Sequence, residues 1–128
     1  MWADTNILVR LVTQNPTTQF QAVQTYLQTV NTAVKVHPAH ICEALYVLEG
    51  QVYQFTTTRA AQELELILSA SCFEVIDAIA TVKALRAYPA SNLDFPDVLL
   101  CELARAEASE VLTFDKKMAR LSVTIQIP

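Results

Sequence analysis

The chain has a single glycine, Gly50. With it alone neither a G-x-G-x-x-G turn nor a P-loop can be written, so the common phosphate-cradling loops, and most nucleotide-cofactor enzymes with them, are excluded. Cysteine is scarce: Cys42, Cys72 and Cys101 contain no C-x-x-C, and His37 and His40 have no cysteine partners at zinc spacing. Buried, reduced thiols are the expectation. No apolar run approaches the ~20 residues of a membrane span. The opening Met1-Trp2-Ala3-Asp4 has no basic region and no apolar stretch ahead of a small-residue cleavage site. A signal peptide and a membrane partner are therefore not expected, and the cytoplasm is the expected compartment. Positive charge is also short. A net charge of −4 argues against a general nucleic-acid coat protein. It leaves a nuclease open, because metal ions neutralise clustered carboxylates and a local basic patch can hold phosphates.

What the chain does have is apolar content, 52% over 128 residues, enough for the core of one domain spanning 1–128. Strand-like and helix-like stretches alternate. Met1 to Ala3 reads as a first strand, and Asp4-Thr5-Asn6 offers capping side chains for a helix or turn from Ile7 to Val12. A helix opens at Pro16-Thr17-Thr18, with Phe20, Val23, Leu27 and Val30 near helical spacing. Ala33 to His37 alternates as a strand. From Ala39 to about Phe55, the apolar residues Ile41, Leu45, Leu48, Val52 and Phe55 predict one amphipathic helix carrying Glu43 in its first turns. Further helices are expected from Thr58, from Ala78 to Tyr88, and from Asn92-Leu93-Asp94 to about Ala108. Phe73 to Ile76, Glu110 to Phe114 and Val123 to Ile127 read as strands. Strands separated by helices imply parallel βαβ units with right-handed crossovers. Ligands in such sheets bind beyond the carboxyl ends of the strands. Asp4 and Asp115 each stand directly after a strand.

Four acids from distant segments are the candidate chemistry: Asp4, Glu43, Asp97 and Asp115. Hard divalent cations take oxygen ligands, and acids packed together make sense mainly with a cation between them. Bound metal lowers the pKa of water, orients a phosphate and neutralises charge in an in-line displacement. Each acid also has a plainer reading: Asp4 as a helix cap, Glu43 as a solvated glutamate, Asp115 as a turn or cap. Asp94 fits a helix N-cap with Asp97 three residues on, a capping-box-like pair. Asp77 reads as a turn residue, and Glu63, Glu65, Glu102 and Glu107 as solvated helix faces. Lys116, Lys117 and Arg120 are candidates for holding substrate backbone by charge, with a solvated helix face as the alternative.

The order of these motifs resembles the PIN-domain ribonucleases. Asp4-Thr5-Asn6-Ile7-Leu8 is similar to their opening and Glu43-Ala44-Leu45 to their second acidic motif. Asp94-Phe95-Pro96-Asp97-Val98-Leu99 resembles the third, and Val111-Leu112-Thr113-Phe114-Asp115 the fourth. Within that superfamily a stand-alone domain of this length looks most like the VapC-type toxins of bacterial toxin–antitoxin pairs. The resemblance implies an α/β fold: a three-layer α/β/α sandwich around a mainly parallel sheet of four to five strands. It implies an Mg²⁺- or Mn²⁺-dependent endoribonuclease whose metal-binding and catalytic acids are Asp4, Glu43, Asp97 and Asp115. Asp94 would be an auxiliary acid, and Asn6 and Thr113 would orient the acids by hydrogen bonding. It further implies a homodimer and a cognate antitoxin whose C-terminal segment blocks the active site. His40, Cys42, Pro96 and Val98 stand where the family commonly has other residue types, which bears on pocket shape and substrate choice.

Two other functions compete. A catalytically inactive PIN-like module would sequester a protein or RNA partner; the presence of all four acids weighs against it. A receiver-type signalling domain would need a pair of early acids and an aspartate after its third strand, and Asp4-Thr5-Asn6 offers only one early acid.

Overall fold

Backbone geometry at Asp4 ends the first strand and starts the first helix within one residue. In the computed structural model, which describes residues 1–128, Trp2–Ala3 form β1 and Thr5–Thr13 form α1, with Asp4 in an extended conformation between them. The chain divides into two compact units, Met1–Ile76 and Asp77–Pro128.

The first unit continues with α2 (Thr17–Thr29), β2 (Val34–Val36), α3 (Pro38–Glu49), α4 (Thr57–Leu68) and β3 (Phe73–Val75). Its three strands lie in the order β1-β2-β3, all parallel, with Ala3 opposite Val36 and Val36 opposite Val75. Each crossover carries two helices, as parallel pairing demands a connection long enough to return the chain. Helices α1, α3 and α4 pack on one another. Their apolar stripes supply Leu8, Val9, Ile41, Leu45, Leu48 and Leu64, all essentially inaccessible to solvent. Burying side chains of this size contributes roughly 1.5–3 kcal/mol each, which is the main force holding the unit together. Helix α2 differs: it buries no residue completely. Its Phe20, Val23 and Leu27, and Val30 just beyond its end, are half-buried, and Val23, Tyr26 and Leu27 line a cavity of about 400 Å³ with Met1, Trp2 and Ile7.

Helix α3 is shorter than its apolar spacing predicts. It begins at Pro38, whose missing N–H is harmless in a first turn, and His37 caps it by accepting the Ala39 N–H at 3.1 Å. It stops at Glu49 rather than near Phe55, because Gly50 turns the chain out of the helix. A Cβ at Gly50 would stand 3.2 Å from the Tyr46 carbonyl oxygen and 3.3 Å from that of Val47. Val52, expected on the buried face, is 82% exposed as a result. Helix α4 starts at Thr57, where the Thr56 hydroxyl accepts the Arg59 N–H.

The second unit comprises α5 (Ala78–Ser91), α6 (Phe95–Ala106), β4 (Val111–Leu112), a 3-10 helix (Lys116–Leu121) and β5 (Ile125–Gln126). Strands β4 and β5 pair in parallel, Val111 opposite Ile125. The five expected strands are thus present and every pairing is parallel, with helices flanking short sheets of three and two strands. Helix α5 runs past Tyr88 to Ser91 and packs on α6, where Tyr88 and Phe95 meet edge to face with centroids 5.5 Å apart. A small core of Cys101, Ala104, Val111, Met118 and Val123 ties α6 to the β4–β5 ladder. The cysteines are free; Cys101 is buried, whereas Cys42 and Cys72 are only half-buried. No helix is long and apolar enough to cross a membrane.

One expected surface residue is internal. Glu102 is 5% exposed, not a solvated helix face. It follows Phe95 by seven residues and Val98 by four, on the buried stripe of α6. Its Oε1 accepts from the Arg105 guanidinium, which also donates to the Leu121 carbonyl at the end of the 3-10 helix, while Oε2 has no partner. The pair therefore joins α6 to the 3-10 helix that Asp115 precedes.

Candidate active site

In the first unit the cap and the second candidate acid meet through one residue. The Asp4 carboxylate Oδ1 accepts the Ile7 N–H at 3.1 Å, closing the first turn of α1. Capping uses one acceptor site of a group with about four, so it leaves Asp4 capable of binding a cation. The next residue, Thr5, is buried, and its hydroxyl donates to Glu43 Oε2 at 2.5 Å. The same hydroxyl lies 3.0 Å from His40 Nδ1. His40 and Glu43 sit three residues apart on α3 and so share a face; their own Nδ1–Oε2 separation is 3.8 Å. Glu43, which spacing alone cannot tell from a solvated glutamate, is held beside the Asp4 segment. Its side chain nevertheless stays 62% exposed and open to a ligand. Asn6, next along α1, is exposed.

In the second unit Asp97 occupies the third position of α6, behind Pro96. A helix N-terminus favours the carboxylate anion, yet the Asp97 carboxyl is pushed above its usual range. Burial is the largest cause, followed by the negative charges of Asp94 and Asp115. Asp94 stands at the N-cap position, but its side chain makes no capping bond; only its carbonyl accepts, from the N–H groups of Asp97 and Val98. The capping-box reading of Asp94 therefore accounts for its backbone and not for its carboxylate. Asp115 caps the 3-10 helix by accepting the Lys117 N–H at 2.8 Å, and its own N–H donates to the Thr113 hydroxyl at 2.9 Å. Lys116, Lys117 and Arg120 project exposed from that 3-10 helix. Asp77, the second residue after β3, is a turn residue with φ of 52°.

A family model described as PIN domain matches residues 1–123. The chain belongs to the PIN-domain family. PIN domains are generally nucleases, which makes hydrolase chemistry the family's expectation, and they generally use divalent metal ions. No curated protein and no solved structure gives a significant match.

The donor chemistry of this PIN domain fits a hard divalent cation. Within the second unit Asp94, Asp97 and Asp115 offer carboxylate oxygens, and the negative charges of Asp94 and Asp115 add to burial in raising the Asp97 carboxyl, a cost that a cation relieves. No group of three or more His, Cys, Asp or Glu side chains stands as a ready-made metal cage. Sequence reasoning does not identify Thr5 and His40 as neighbours of Glu43. The i,i+3 spacing of His40 and Glu43 is a local signal; the contact from Thr5, 38 residues before Glu43, leaves none.

Proposed function

We propose that this PIN domain is a metal-dependent endoribonuclease that hydrolyses RNA phosphodiester bonds, and that it is the toxin of a toxin–antitoxin pair. The observation that carries the reading is Asp97: a partly buried carboxyl, facing Asp94 and Asp115, held above its usual protonation range within a family match covering nearly the whole chain. That match also supports the two units working as one domain over 1–128.

Asp4, Glu43, Asp97 and Asp115 are the residues that would hold Mg²⁺ or Mn²⁺. When bound, the ion supplies charge neutralisation at the scissile phosphate and acidifies attacking water. The remaining chemistry belongs to the side chains. Thr113, by accepting the Asp115 N–H, sets the backbone from which that acid projects. Asn6 and Asp94 flank the acids as auxiliary groups. Lys116, Lys117 and Arg120 hold the substrate backbone by charge, giving position without sequence preference. Water adds to phosphorus as the bond to the 3′ oxygen breaks. The partners proposed are a cognate antitoxin and a second copy of the chain, in the cytoplasm.

Asp4→Asn and Asp97→Asn are expected to abolish Mn²⁺-dependent RNA cleavage while far-UV circular dichroism stays unchanged. Full cleavage by both variants at matched purity would overturn the assignment. Purified protein that cuts no RNA with either ion, yet binds its partner, would favour the inactive binding module.

A further inference from the structure

Thr5 has one hydroxyl hydrogen and two lone pairs. Two groups surround that hydroxyl: Glu43 Oε2 at 2.5 Å and His40 Nδ1 at 3.0 Å. An ionised carboxylate has no hydrogen to offer, so the Thr5 hydrogen goes to Glu43, in a charge-assisted bond that is the shorter of the two. The contact with His40 must then run the other way, with Nδ1–H donating to the Thr5 oxygen. This proton count places a hydrogen on His40 Nδ1. His40 Nδ1 stands 3.8 Å from Glu43 Oε2, too far for a direct hydrogen bond, so the hydroxyl is the bridge. Thr5 itself is only 7% exposed, which keeps water from replacing either partner.

We infer that His40 is a positioning residue for Glu43, acting through Thr5: His40 Nδ1–H to Thr5 Oγ1, and Thr5 O–H to Glu43 Oε2. The inference rests on the proposed metal-binding role of Glu43. A largely exposed glutamate has several rotamers to lose on binding a ligand. The relay removes that freedom in advance. It occupies Oε2 with a donor and leaves Oε1 for a cation. Because Thr5 opens the helix that Asp4 caps, the relay also fixes Glu43 against the segment carrying the first acid. Ligating carboxylates are tuned by such partners, whose removal typically costs about 10–100-fold in metal affinity or activity.

The test is Mn²⁺ binding by the metal-stripped full chain, measured by titration calorimetry, with the melting temperature of each metal-free variant as a folding control. Thr5→Val keeps the shape and removes the hydroxyl; His40→Leu removes the donor at a half-exposed position. Each is expected to weaken Mn²⁺ binding about tenfold. Thr5→Ser and His40→Asn, which keep a hydroxyl and an N–H donor, are expected to bind close to wild type. The double variant Thr5→Val/His40→Leu is expected to lose no more than Thr5→Val alone, since both act on one relay. Wild-type affinity in a folded His40→Leu, or additive losses in the double variant, would overturn the relay. If Thr5→Val does not fold, the contrast between His40→Leu and His40→Asn decides. Glu43→Gln separates the two levels: unchanged Mn²⁺ binding there would overturn the metal role of Glu43 itself, whereas loss there with none in His40→Leu overturns the relay alone.

Discussion

Replacing Asp97 with asparagine separates the electrostatic cost of the acids from the gain on binding metal. Asp97 is pushed above its usual range by burial and by Asp94 and Asp115. A carboxyl whose folded pKa is raised binds its proton more tightly in the native state. It therefore contributes stability that is fully present below the unfolded pKa, near 3.9, and lost as pH rises through the folded value. At pH 7 without metal, ionised Asp97 works against folding. Asp97→Asn, neutral and nearly isosteric, should raise the metal-free melting temperature at pH 7, and the difference should vanish on acidification below the carboxylate range. Metal reverses the order. At a free concentration one hundred times Kd, a bound ion stabilises wild type by about 2.7 kcal/mol. For 128 residues that corresponds to a rise of about 10 °C, from a typical unfolding entropy of about 2.1 cal/mol/K per residue. The variant should show little of this rise. Differential scanning calorimetry with chelator or with Mn²⁺ reads both effects. A metal-free Asp97→Asn less stable than wild type at pH 7, together with an undiminished Mn²⁺ shift, would refute the reasoning.

Asp4 carries a structural duty beside its proposed chemical one, and two substitutions part them. Asparagine caps a helix about as well as aspartate, whereas alanine costs about 1 kcal/mol. In urea unfolding Asp4→Asn should match wild type and Asp4→Ala should not, while both lose Mn²⁺-dependent cleavage. Leu64 is fully buried on α4, so Leu64→Ala should destabilise by about 2–5 kcal/mol through a cavity, read as a lower urea midpoint. Arg105→Met leaves the buried Glu102 carboxylate without its donor, at a cost of about 1–3 kcal/mol. The double change of Glu102 and Arg105 to methionine should recover part of that loss in the same measurement.

Much of the fold is legible in local pattern. The strand end at Asp4, the helix start just after Asp94 and the stripe of α4 all depend on neighbours a few residues away, whereas β4 stops at Leu112, three residues short of Asp115. Departures arise where a different cause wins. The apolar spacing through Val52 and Phe55 argues for a continuing helix, but Gly50 ends it, and both residues lie beyond the stop. Glu102 reads as surface because it is an acid. Its place four residues after Val98 puts it on the buried stripe, and Arg105 one turn later supplies the partner that makes burial tolerable. The candidate acids are legible as residue types, but not what surrounds them. That the Asp94 carboxylate is spared from capping, and that Thr5 links His40 to Glu43, are facts of three-dimensional placement.

Product chemistry tests the central claim most directly. Water attacking phosphorus with loss of the 3′ oxygen leaves a 5′-phosphate and a 3′-hydroxyl, and it does not involve the 2′-hydroxyl of the cleaved nucleotide. Chelator-stripped protein should leave a labelled RNA intact. Mn²⁺ or Mg²⁺ should restore cleavage with those termini, and a single deoxynucleotide at the cleavage site should still be cut. Products ending in 2′,3′-cyclic phosphate, or cleavage at full rate in excess chelator, would contradict a metal-dependent phosphodiester hydrolase.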